Sequence, residues 1–386
     1  MTEELLSKLD FSYTQQLLEN MIRINSIVGK EGELAEYLKD EIEALGLKCE
    51  IDEIEPGRPN IYARLKHGKL GKRLNFNGHL DTVPVVDGWE TDPFNPVVKD
   101  GKLYGLGACD MKAGIACILD MLRAFVESNH SFNGELSFSG VIDEEAYGKG
   151  AKAMLKTDFA QVDAIVLAEP YSGDELKPIP LGITGKILYD ITVKGKAAHG
   201  FRPHLGINAI EELGKILVNL DKLNFKNHPD FGKGNYSTLK IEGGYDVYSV
   251  VVPALARMEV NRLLVPGESV KIAIEDIKRL VKALNLKAEV EVKIKSPQYE
   301  AYVIDKNEDI IQVFEPVYNE VMGKTPLYNY TRGITDANIF TGEGRIPCLH
   351  LGPHQEVAHQ KNEYVPLDCL PSLSKMYSLI AAKFLS

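Results

Sequence analysis

Five short segments of this chain carry residues able to bind a metal or move a proton: His79-Leu80-Asp81, Asp110-Met111-Lys112, Asp143-Glu144-Glu145, Glu169-Pro170 and Ala358-His359. Taken singly, each has an ordinary reading. A lone histidine after a strand is commonly structural. Asp110 would cap a helix beginning near Met111 by accepting free backbone N–H groups. His359, in a polar loop, would simply be solvated. The acids at 143–145 are harder to dismiss, because they follow the apolar run SFSGVI, where adjacent carboxylates are costly unless cations compensate them. Glu169 likewise ends the apolar run AIVLA. Together, the histidines and carboxylates form a ligand set that zinc, manganese or cobalt accepts. A carboxylate shared between two ions would allow a paired-metal centre that polarises a carbonyl and acidifies a water. A further carboxylate would then serve as general base.

These segments need elements to bring them together. The stretch RLNFNG (73–78) reads as a strand delivering the chain to His79 and Asp81, and ELSFSGVID and DAIVLAEP read as further strands. Residues 31–46 place Leu34, Leu38, Ile42 and Leu45 at helical spacing before Gly46, and 111–127 predict a mostly buried helix. Strands separated by helices indicate a layered α/β domain with a mainly parallel sheet. Sites in such sheets gather beyond the carboxyl ends of the strands. Between about 186 and 295 the order becomes strand, helix, strand, strand, helix, strand, the pattern of a small α/β sandwich with one antiparallel sheet. The expected organisation is one catalytic domain over 1–185 and 297–386, interrupted by an inserted domain over 186–296.

Bulk properties narrow the function classes. A chain of 386 residues suits about two domains. A net charge of -11 argues against a nucleic-acid surface, which needs clustered Lys and Arg. The five cysteines form no C-x-x-C pair and are odd in number, so neither a disulfide framework nor a zinc ribbon is expected. No apolar run reaches the roughly 18 residues of a membrane span, and the acidic, amphipathic start lacks a signal-peptide core. These features predict a cytoplasmic enzyme.

The segments GHLDTVP (78–84), GWETDPFNPVVKDGKLYGLGACDMKAG (88–114), DEE (143–145), AEP (168–170) and VAHQKNEYVP (357–366) resemble the M20 metallopeptidase family, in order and over nearly the whole chain. That group includes acetylornithine deacetylases, succinyl-diaminopimelate desuccinylases, aminoacylases and carboxypeptidases. The resemblance implies a zinc-peptidase-like catalytic domain with an inserted lid that mediates homodimerisation. It also implies two divalent ions, most often zinc, with cobalt or manganese as substitutes. His79 and Glu169 match ligands of the first metal, Asp110 the bridging aspartate, and Glu145 and His359 ligands of the second. Glu144 matches the general base, and Asp81 the carboxylate that orients His79. In the lid, His199 within GKAAHGFRPHLGINAI matches a histidine that reaches the partner's active site to stabilise an oxyanion. Arg262 matches an arginine that binds a substrate carboxylate, while Gly333, Thr335 and Asp336 in RGITDAN match a loop shaping the substrate pocket.

Departures from the family pattern fall near the substrate. Ser249 and Val250 stand where an asparagine is common, DMKAG has one glycine where two are usual, and His354 replaces a glycine. The reaction expected is hydrolysis of the amide of an N-acylated amino acid, with cleavage of a dipeptide or short peptide as the alternative. A non-catalytic metal- or ligand-binding relative is a third reading, but such proteins usually lose the base or a ligand, and Glu144 and the five ligands are all present. No G-x-S-x-G occurs, and KLYGLGACD offers only part of a dinucleotide fingerprint.

Overall fold

The segment leading to His79 folds as strand Arg73–His79, buried along almost its whole length. A computed structural model describes residues 2–354 and 356–386, which divide into two compact units. The first comprises the chain through Leu181 with Ile304–Asn329 and Thr335–Ser386; the second is Gly182–Val303 with Tyr330–Ile334. The second unit is thus longer at both ends than the expected 186–296, and it takes in a short later segment.

In the first unit, strands β1 (Cys49–Glu55), β2 (Arg58–His67), β3 (Arg73–His79), β4 (Gly134–Val141) and β5 (Ala164–Leu167) form. The second unit supplies β6 (Gly185–Lys194), β7 (Asn235–Gly243), β8 (Leu255–Leu264) and β9 (Glu289–Tyr299). The chain then returns to the first unit as β10 (Cys348–His350). The first sheet runs β1-β2-β4-β3-β5-β10. β4, β3, β5 and β10 pair in parallel, whereas β1 and β2 are antiparallel additions. The parallel strands are continuous buried runs, as strands covered on both faces must be. Two asparagines inside β3 bond within the sheet, Asn75 donating to Ser137 Oγ at 3.0 Å and Asn77 to Ser139 Oγ at 2.8 Å.

Helix Ala113–Ser128 is buried on nearly every side, and it packs against the C-terminal helix Cys369–Phe384. Tyr377 of the latter meets Phe76 of β3 edge to face, with ring centroids 5.2 Å apart. Two glycines permit the close approach beneath the strand ends. A Cβ on Gly78 would lie 2.6 Å from Ile115 Cγ1, and one on Gly114 would lie 2.7 Å from the Ala168 carbonyl oxygen. The helix begins two residues later than its apolar pattern suggests, because Asp110 and Met111 adopt non-helical conformations.

In the second unit, one antiparallel sheet runs β7-β8-β6-β9, with helices Ala209–Leu217 and Val270–Ala283 packed against it. Alternation on β6 puts Ile187, Tyr189, Ile191 and Val193 into a core with Leu213, Ile216, Ala273 and Ile277 from the helices. Among the described residues, no helix is long and apolar enough to cross a membrane.

Candidate active site

β3, β4 and β5 are neighbours, and each leads at its carboxyl end into an acid or histidine: His79, Asp143–Glu145 and Glu169. The loop before helix Ala113–Ser128 adds Asp110, and the loop before the short strand Tyr364–Pro366 adds His359. His79 Nε2 lies 3.2 Å from Asp110 Oδ1 and 3.9 Å from Glu169 Oε1. His359 Nε2 lies 3.3 Å from Asp110 Oδ2 and 2.8 Å from Glu145 Oε1. The two oxygens of Asp110 therefore face different histidines. Asp110 does not cap the following helix, whose N-cap position is Lys112.

The donor set suits divalent cations. Ligand atoms of His79, Asp110 and Glu145 lie within 4.8 Å of one another, as do those of His79, Glu144 and Glu169. Burial pushes the Glu144 and Glu169 carboxyls well above their ordinary range, and neighbouring charges push the same way: Glu169 on Glu144, and Asp110 on Glu169. Asp336 is also fully buried, and burial raises it to about 8. Its Oδ2 has no hydrogen-bond partner among the described residues. Burial would raise Asp110 too, but hydrogen bonds from His359 and His79 hold it well below the carboxylate range. Those bonds to Asp110 and Glu145 lift His359 to about 10. Burial would depress His79, yet Asp110 and the charges of Asp81, Glu144 and Glu169 hold it well above its ordinary value. So many carboxylates around two imidazoles leave an uncompensated negative field that metal cations would offset.

Asp81 is arranged differently from the expectation. His79 Nδ1 lies 2.9 Å from the main-chain carbonyl of Asp81, so the backbone orients the imidazole. The Asp81 carboxylate instead accepts the N–H of Glu144 at 3.2 Å and of Glu145 at 2.9 Å. Burial raises the carboxyl to about 6, against the opposing pull of His79 and the Glu145 N–H.

Asp143 belongs to the scaffold of this acidic turn. Its φ of 71° lies in the left-handed region, which a short side chain that bonds locally tolerates. Arg58 holds its carboxylate at 2.8 Å, and Arg58 is itself gripped by the buried Glu31 at 2.6 Å and 2.8 Å.

The remaining sequence candidates separate. Thr335 Oγ1 lies 3.0 Å from His350 Nε2 and accepts the N–H of Ala337, so its hydroxyl serves the interior of its own loop. Gly333, His199 and Arg262 belong to the second unit. His199 is exposed, and its Nδ1 accepts the Phe201 N–H at 3.2 Å. Arg262 corrects the expectation of a substrate-binding cation. It is fully buried, with its guanidinium 2.8 Å from both Glu268 Oε1 and Asp276 Oδ2 and also donating to the Asn224 carbonyl. Its alternation with Ala256, Met258, Val260 and Leu264 on β8 explains this, since a period of two sends all of them inward. Residues that motif reading passed over also act here, namely Arg58, Glu31 and Glu363. Glu363 follows the polar run His359-Gln360-Lys361-Asn362, so nothing in its local sequence marks it.

A sequence model of peptidase family M20/M25/M40 matches residues 75–383. A succinyl-diaminopimelate desuccinylase of Orientia tsutsugamushi (strain Boryong) is 26% identical over 372 residues, covering 94% of this chain and 94% of that protein. A tripeptidase from Staphylococcus aureus subsp. aureus Mu50 superposes with a TM-score of 0.77 at 22% identity, covering 98% of this chain and 99% of the other. A dinuclear metal-binding peptidase of Bacillus subtilis superposes with a TM-score of 0.72 at 17% identity, covering 97% and 98%.

Proposed function

The chain belongs to peptidase family M20/M25/M40 and is a metal-dependent hydrolase, and from that premise we propose that it hydrolyses the amide of an N-acylated amino acid. The reading rests on Asp110, whose two oxygens face His79 and His359. In it, His79, Asp110 and Glu169 would hold one divalent ion, and Asp110, Glu145 and His359 a second. Zinc suits this mixture of imidazole and carboxylate, with cobalt or manganese as substitutes. Bound there, the ions would polarise the scissile carbonyl and acidify the attacking water.

The protein's own groups supply the rest. Glu144 takes the proton from the attacking water and passes it to the leaving nitrogen, so that the amide breaks into carboxylate and amine. Asp81 fixes the direction of Glu144 through its main chain. Gly333 and Thr335 shape the substrate pocket in this reading, Thr335 through the loop that its hydroxyl braces.

An N-acyl substrate is favoured because full-length curated relatives, 26% to 29% identical, are named succinyl-diaminopimelate desuccinylases. The structural likeness to a tripeptidase supports the second reading, cleavage of a short peptide. A panel of N-succinyl-diaminopimelate, N-acetyl-ornithine, N-acyl-methionine and dipeptides, assayed with added zinc, cobalt or manganese, tests both. Turnover of the acyl amino acids, abolished by chelation and restored by metal, is expected. Turnover of peptides alone would overturn the acyl reading, and full activity in metal-stripped protein would overturn the metal reading.

The same proposal includes a homodimer formed through the second unit. Its edge strand β7 leaves Leu239 and Ile241 exposed, and the partly exposed Ile210 of helix Ala209–Leu217 lies close to Gly243 at the strand's end. His199 would then act across the interface as a donor to the developing oxyanion. Mixing inactive His199→Ala with inactive Glu144→Ala chains would regain partial activity; a fully active monomer would sink this part. Five free cysteines among the described residues suit a reducing, cytoplasmic setting.

A further inference from the structure

Glu363 lies four residues beyond His359, at the start of the segment that continues into strand Tyr364–Pro366. Its side chain is buried, with 1% of the residue exposed. Oε2 accepts the N–H of Gly107 at 2.9 Å, while Oε1 accepts those of Cys109 at 2.9 Å and Asp110 at 3.1 Å. The Cys109 thiol also points at Oε1, at 3.3 Å. The main-chain carbonyl of Glu363 takes the N–H of Gly105 at 3.0 Å. Strand Tyr364–Pro366 then pairs with Lys102–Tyr104, tying the same two segments together once more. On the far side of the loop, Lys112 Nζ donates to the carbonyls of Met21 at 2.9 Å and Ile24 at 3.0 Å.

This loop has no helix to hold it. Asp110 and Met111 lie outside helical geometry, so their backbone N–H groups need partners from elsewhere. A carboxylate is the one side chain with acceptors enough for three converging N–H donors. The geometry therefore couples the Asp110 loop to the His359 segment through one side chain.

We infer that Glu363 is the positioning residue of the metal centre, a brace that sets the backbone of Asp110 and ties it to the segment bearing His359. This rests on the paired-metal reading of the site. Glu363 touches no substrate in this account. It acts through Asp110, whose oxygens must face two directions at once, so that a small rotation of the loop would misplace both. Partners that orient ligands in this way affect metal affinity by about 10- to 100-fold when replaced.

The test is Glu363→Gln, which keeps the shape but turns one acceptor oxygen into a donor facing N–H groups. Zinc and cobalt titrations of the folded, metal-stripped protein, well below its melting temperature, are compared with wild type alongside kcat and KM. Metal affinity weakened by about 10- to 100-fold, with kcat lowered more than KM is raised, is expected. A lower melting temperature with wild-type metal affinity and kcat would mean Glu363 is merely structural, and would overturn the brace. If Glu363→Gln does not fold, Glu363→Asp decides by the same titration. Its carboxylate, drawn back by one methylene, does not span Gly107 and Asp110 together, so weakened affinity supports the brace and wild-type affinity overturns it. Wild-type protein that takes up no divalent ion would overturn the metal reading itself, a result distinct from normal uptake by both proteins.

Discussion

The Asp81 carboxylate accepts the backbone N–H of Glu145 at 2.9 Å, while the Asp81 carbonyl receives His79 Nδ1 at the same distance. One residue thus positions two neighbours by two different groups, and only one of them is its side chain. Asp81→Ala leaves the carbonyl in place, so His79 keeps its orientation. The turn bearing Glu144 and Glu145 loses its clamp. Asp81→Ala is expected to lower kcat by roughly 10- to 100-fold, the usual effect of removing a ligand-orienting partner, and to combine the lowered kcat of Glu144→Gln with the lowered metal occupancy of Glu145→Gln. If kinetics and metal analysis instead match those of His79→Ala, the carboxylate has the role first expected from sequence.

The difference shows where the sequence was legible. SFSGVI and AIVLA are apolar runs that end at acids, and RLNFNGH is a strand-like segment that ends in histidine, so these strands and the residues at their ends could be read directly. Whether Asp81 would use its carbonyl or its carboxylate is not written in residue type. Arg262 is the reverse case. Its phase with Met258 and Val260 places it inside β8, but the resemblance to a substrate-binding arginine outweighed that alternation. Glu363 was hidden by distance, since its partner Asp110 lies 253 residues earlier and the pairing of Tyr364–Pro366 with Lys102–Tyr104 brings the two segments together.

Arg262→Met is expected to destabilise the protein by about 3–5 kcal/mol, because Glu268 and Asp276 would remain buried without their cation. KM for the best substrate should barely change. Denaturant unfolding beside steady-state kinetics checks both. A raised KM with unchanged stability would return Arg262 to a substrate-binding role.

His350 gives a pH dependence whose sign can be worked out. Burial depresses its folded-state pKa to about 3 from 6.5, and its Nδ1 has no hydrogen-bond partner among the described residues. Below pH 6.5 the unfolded chain binds a proton that the folded chain refuses until pH approaches 3. The contribution is therefore intact above that upper value and is lost as pH falls, at a slope of at most about 1.4 kcal/mol per pH unit. His350→Gln, which can still hydrogen-bond Thr335, should flatten this part of the acid limb. Urea unfolding of both proteins between pH 7 and pH 5 is the measurement, and identical slopes would count against a buried neutral imidazole.

The adjacent acids Glu144 and Glu145 provide the sharpest separation of roles. Glu145 Oε1 lies 2.8 Å from His359 Nε2, among the groups that face Asp110. Glu144 shares a different cluster, with His79 and Glu169. In the proposed reading Glu145 would hold an ion with His359, and Glu144 would move the proton. Glu144→Gln should keep metal content and KM while lowering kcat by roughly 10²–10⁴-fold, the contribution of a positioned base. Glu145→Gln should lower metal occupancy, and excess zinc should recover part of its activity. Metal analysis of both variants, run beside kinetics with and without added zinc, distinguishes them. Metal lost from Glu144→Gln but retained by Glu145→Gln would mean that the two residues hold each other's roles.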